Sequence, residues 1–103
     1  MTSLNSQRAG AILNEAARLV TQDRNATHGD CYQQQATAAK LWTAWLQAKD
    51  VTVEISAEDV AVMMMLLKLS RTISGGTFNP DNYVDMAGYA GIASACAAKE
   101  NDK

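Results

Sequence analysis

Proline occurs once in this chain of 103 residues, at Pro80, and phenylalanine and histidine also occur once each. Against that single proline stand eighteen alanines, a balance that excludes a loop-rich or sandwich architecture and points to helix. No apolar run approaches the length of a membrane span, and the N-terminal "MTSLNSQRAGAILNEAARLV" lacks the basic start and continuous apolar stretch of a signal peptide. A soluble, cytoplasmic protein with no membrane partner is therefore expected. Basic excess is also missing. The net charge is −2, which excludes the electrostatic footprint of a protein that grips duplex nucleic acid. Only Cys31 and Cys96 carry thiols, far apart and outside any C-x-x-C spacing, so both are expected to be reduced. With His28 the one histidine, no soft-ligand cluster for zinc can be assembled.

What is present is helical periodicity. The length suits one helical domain over 1–103, with ends fraying at about 1–5 and 99–103. A first segment, about Ser6 to Gln22, repeats Ile12, Ala16 and Leu19 at helical spacing, with Leu13, Ala17 and Val20 beside them. A polar connector, "QDRNATHGD", leads to a second segment from Asp30, a suitable N-cap, to Lys49. Its apolar stripe is Ala38, Leu41, Trp42, Trp45 and Leu46, and the Gln33-Gln34-Gln35 run is expected to face water or a partner. "KDVTVEIS" alternates like a strand but has nothing to pair with, so it is expected to be an extended connector.

The third segment opens at Ser56, with Asp59 three residues on in a capping-box arrangement. It continues as "VAVMMMLLKLSRTI", apolar nearly all round, which predicts a central helix covered on most sides. Gly75-Gly76 end it. The fourth segment takes Asn79 as cap, Pro80 at its first position and Asp81 in the first turn, and runs to about Lys99. Four helices with short connections predict an all-α, four-helix bundle-like domain. Gly88, Gly91 and Ala95 follow one another at i, i+3, i+7, where two glycines weaken a helix unless close packing compensates. A homo-oligomer is expected on that ground.

The polar groups retained in apolar segments are the candidates for chemistry. Asp85 shares a helical face with Asp81 at i−4 and Tyr89 at i+4. Lys68 and Arg71 stand one turn apart, Glu58 and Asp59 open the third helix, and Arg24, His28 and Asp30 cluster in the first connector. Each has an ordinary reading: Asp59 as a cap, Asp81 against the dipole, Tyr89 in the core, Asp85 paired with Lys68 or Arg71. The functional reading is a polar site between the third and fourth helices. There carboxylates Glu58, Asp59, Asp81 and Asp85 would hold Mg²⁺, and Arg24, His28, Asp30, Lys68, Arg71 and Tyr89 would contact a ligand. Spacing alone leaves open whether Asp85 takes a cation of the chain or a metal.

"DRNATHGD", "AAKLWTAWL", "SAEDVAVMMMLLKLSR" and "NPDNYVDMAGYAGIASA" together resemble a family of small bacteriophage and prophage proteins of unknown function, over roughly residues 10–98. The last helix is more distantly similar to the all-α nucleoside triphosphate pyrophosphohydrolases of the MazG type. That resemblance implies a MazG-like architecture and Mg²⁺-dependent attack of water on a nucleotide's phosphate chain. Those enzymes carry E-x-x-E and E-x-x-D on successive helices. The motifs fall here on Glu58 with Ala61, and on Asn82 with Asp85, so each pair keeps one carboxylate. The expected function is thus a phage accessory protein that binds or hydrolyses a nucleotide or cyclic nucleotide. The alternative is a protein-interaction module that modulates a host enzyme.

Overall fold

The structure of the protein, a computed structural model, describes residues 2–23 and 30–102, without the side chain of Asp23. Its architecture is all-α. Helix α1 spans Leu4–Arg18 and passes into one π-helical turn, Leu19–Asp23. Helices α2 (Cys31–Ala48), α3 (Ala57–Ser74) and α4 (Pro80–Asn101) follow. No strand occurs among the described residues, and 51–56 is an extended connector as its sequence predicts.

Local chemistry sets these boundaries. Asp30 accepts the Gln33 N–H at 3.1 Å and so starts α2. At the start of α3, Ser56 Oγ accepts the Asp59 N–H while the Asp59 carboxylate accepts the Ser56 N–H, both at 3.0 Å, a complete capping box. Asn79 caps α4 with Pro80 in its first turn. Helix α2 ends in a Schellman pair: the Asp50 N–H bonds Gln47 O, and the Val51 N–H bonds Leu46 O. That closure puts Asp50 at φ 62°, the left-handed region glycine usually fills. Beyond α3, a Cβ on Gly75 would lie 2.5 Å from Arg71 O, and Gly76 has φ +79°, so the glycine pair is a steric requirement.

Helix reaches from Leu4 near one end of the chain to Asn101 near the other. Ser3 caps α1. At the other end α4 continues to Asn101, and the Glu100 carboxylate accepts the N–H groups of Ala57 (3.1 Å) and Glu58 (3.2 Å). A charge from the end of one helix thus satisfies two orphan donors at the start of another, where the dipole favours an anion.

Helices α3 and α4 run antiparallel and make the most extensive contact, with α1 against α4 and α2 against α3. Ala57, Ala61, Tyr89, Ile92, Ala93 and Cys96 form the core, and Val20, Tyr32, Met64 and Met65 pack on it. Cys31 and Cys96 are free thiols, as expected. Burial, first of all, and then the neighbouring Cys31 push the Cys96 thiol up to about 11, so it stays protonated at neutral pH.

Three expectations change here. Gln35 is buried rather than facing water, while Leu41 and Trp45 are exposed, because the edge of α2 that packs on the core carries Cys31, Tyr32 and Ala36. Helix α3 is covered on one side only: Val62, Met63, Leu66, Leu67, Leu69 and Ile73 are all exposed. And within the chain Gly88, Gly91 and Ala95 do not share one environment, Gly88 being buried and the other two exposed. Gly88 is buried with Val20 Cγ2 3.5 Å from where its Cβ would be, whereas a Cβ added at Gly91 would meet nothing within 4 Å outside its own helix backbone and chain neighbours. Glycine is therefore not needed for close approach at either position in this chain.

Candidate functional site

Lys68 lies on the inner side of α3, in helical register with Ala57, Ala61 and Met64, and so points a charge at α4 from an apolar surface. Its Nζ meets Asp85 Oδ2 at 3.0 Å, with the two side chains 15% and 26% exposed. This ion pair is one of the two arrangements open to Asp85. Around this pair the antiparallel register gathers more charge. Arg71 follows Lys68 by one turn and Asp81 precedes Asp85 by one turn, so two cations on α3 and two carboxylates on α4 lie at the same end of the bundle. Arg71 and Asp81 are exposed. Tyr89, one turn further along α4, is buried in the core cluster. Next to this end, Thr72, Thr77, Asn79, Asn82 and the contacting rings of Phe78 and Tyr83 line a cavity of about 280 Å³.

Glu58 and Asp59 are at the opposite end. They sit beside Glu100, ten and nine residues before Lys68, or about 15 Å along the helix axis. Asp59 is occupied as a cap. The antiparallel pairing sends the first turn of α3 toward the last turn of α4, so Glu58 and Asp59 do not meet Asp81 and Asp85. Among the described residues no group of three or more His, Cys, Asp or Glu side chains could hold a metal ion. Asp30 is exposed and caps α2, and Arg24 and His28 lie outside the described residues.

A cavity of about 580 Å³ is at the Glu58 end, between α2, the 51–56 connector and α4. Lys40, Gln47, Glu54 and Glu100 supply its polar groups, and Thr43 Oγ1 accepts the Ile55 N–H at 2.9 Å to fix the connector beside it. Sequence reasoning passed over these residues. Glu100 lies in a polar tail that reads as frayed, and its partners are more than forty residues away.

Fold and site together define a small helical protein with charged residues gathered at both ends of its α3–α4 pair. Comparison with known proteins gives it a family. The chain belongs to the family described as Domain of unknown function (DUF6378), which matches residues 11–97. It is 36% identical over 93 residues to the Gene 55 protein of Mycobacterium phage L5, covering 90% of this chain and 56% of that protein. It is 38% identical over 81 residues to the Gene 55 protein of Mycobacterium phage D29, covering 79% and 50%. The chain thus spans about half the length of the curated relatives it matches. No solved structure matches it. No described helix is long and apolar enough to cross a membrane.

Proposed function

We propose that this chain binds the phosphate groups of a nucleotide or cyclic nucleotide at the end of the α3–α4 pair. The observation that carries the reading is the Lys68–Asp85 pair, a poorly exposed charge pair on the inner side of a strongly apolar helix. Keeping such a pair there costs desolvation that apolar residues of similar volume would avoid. In this reading Lys68 and Arg71 are the phosphate cations: an ammonium as a point charge and a guanidinium as a fork. Asp81 and Asp85 are the two carboxylates that would hold Mg²⁺ together with the ligand's phosphates, since that ion is usually held by one or two carboxylates plus phosphate. Glu58 and Asp59 play no part in it. Bound Mg²⁺ would supply charge neutralisation on the phosphates. Two carboxylates in place of four favour binding, and so sequestering, over hydrolysis.

The test is thermal melting of the purified protein against nucleoside mono-, di- and triphosphates and cyclic nucleotides, with and without Mg²⁺, followed by an assay of each hit for phosphate or pyrophosphate release. Stabilisation without turnover supports binding. Turnover would make the protein a hydrolase, and no stabilisation by any compound refutes the site.

A second reading, a module that engages a host enzyme, draws on Leu41 and Trp45, large apolar side chains left exposed on α2. It predicts that changing both to Lys leaves the folded chain intact and removes its binding to a host protein.

A further inference from the structure

Opposite the side of α3 that packs on α4 lies a second apolar side. Val62, Leu66, Leu69 and Ile73 are 39%, 57%, 44% and 79% exposed. They follow one another at intervals of four, three and four residues, the spacing of a coiled-coil seam, and make a ridge about 16 Å long. Met63 and Leu67 widen it on one edge. Lys68 faces the other way, so this ridge is independent of the proposed phosphate site.

The chain as a whole carries more surface than its mass requires. It exposes 7182 Å², where a compact folded chain of 11.1 kDa exposes about 5,700 Å². Its radius of gyration is 15.6 Å, against about 13 Å for a compact domain of this length. The excess, about 1,500 Å² per chain, exceeds the ~800 Å² that a subunit gives to an interface of standard size and falls in the range of permanent dimers. The core it leaves is thin: alanine supplies Ala16, Ala39, Ala57, Ala61 and Ala93 of the ten buried apolar residues among those described. A fold that depends on this much cover needs a partner present whenever the chain is made, and a second copy meets that condition by its stoichiometry.

We propose that the Val62–Ile73 ridge pairs with the same ridge of a second copy, antiparallel about a two-fold axis. Antiparallel pairing sets Val62 against Ile73 and Leu66 against Leu69 in both directions, as an isologous interface requires. It also places the two α3 dipoles in opposition, with the first turn of each, carrying Glu58 and Asp59, beside the last turn of the other.

Light scattering at about 10 μM is expected to give twice the 11.1 kDa chain mass. Leu66→Glu puts a charge on the ridge, and this variant is expected to run as a monomer or to lose its helical circular dichroism. A second pair of variants does not depend on that outcome. Val62→Cys and Ile73→Cys chains, each with Cys31→Ser, are oxidised separately and after mixing. Cross-linking between chains only in the mixture is the expected result. A monomeric wild type overturns the proposal and leaves the ridge to a different protein. So does a dimer mass that survives Leu66→Glu in a folded variant, or cross-linking of each cysteine variant with itself alone.

Discussion

Consider replacing Lys68 by Met. The change removes one partner of a pair whose side chains are 15% and 26% exposed and leaves the Asp85 carboxylate facing an apolar helix. Fully exposed pairs contribute about 0–1 kcal/mol, whereas breaking a buried pair costs about 3–5 kcal/mol. With this degree of burial the cost falls between, at about 2 kcal/mol, or roughly 8–16 °C in Tm for a domain of this size. Asp85→Asn is expected to cost a similar amount, since it strands the ammonium instead. Replacing both, Lys68→Met with Asp85→Leu, removes the desolvation along with the attraction and is expected to restore stability to within about 1 kcal/mol of the parent. Urea unfolding of the parent, Lys68→Met, Asp85→Leu and the double at one protein concentration closes the cycle, with Asp85→Leu expected to cost about as much as Asp85→Asn and the coupling energy expected at about 3 kcal/mol. A coupling below about 0.3 kcal/mol would mean that the two side chains act independently, and the account of this end of the bundle would fall.

Three further outcomes follow from other contacts. Glu100→Ala removes the acceptor of two N–H groups at the start of α3 and is expected to cost about 1–2 kcal/mol by urea unfolding, while Glu100→Gln, which keeps an oxygen, costs less. Gly91→Ala adds a Cβ that would meet nothing within 4 Å outside its own helix backbone and chain neighbours, and Gly88→Ala adds one in ordinary contact with Val20. Each is therefore expected to raise stability by about 0.5–1 kcal/mol, and a loss at Gly91 would restore the idea that it packs closely on another helix. Ile92→Ala empties the middle of the core and is expected to cost about 2–5 kcal/mol in the same assay.

The helix starts were legible because each is a local event. Asp30, the Ser56–Asp59 box and Asn79–Pro80 need only residues within one turn, and the structure uses all of them. The bundle class was legible for the same reason, from periodicity and a near absence of proline. What depends on register between helices was not. Glu58 and Asp85 both read as inner carboxylates, but antiparallel pairing separates them to opposite ends of α3. Glu100 became a cap through contacts more than forty residues away in sequence. An all-round apolar pattern on α3 gave the composition of a covered helix without saying what covers it, and within one chain only α4, α2 and part of the core do. Lys68 facing Asp85 was one of two arrangements the spacing allowed, and the structure shows that pair.

The central claim, a phosphate-binding site at the Lys68–Asp85 end, is tested most directly by thermal melting of the parent and of Lys68→Met with Asp85→Leu against a panel of nucleotides, with and without Mg²⁺. A nucleotide at a hundredfold excess over its Kd adds about 2.7 kcal/mol to a protein that binds it only when folded. The account predicts such a shift for the parent and none for the double variant, which has lost the ammonium and the carboxylate but should keep its fold. A parent that shifts with no nucleotide contradicts it, and so does a double variant that shifts as the parent does.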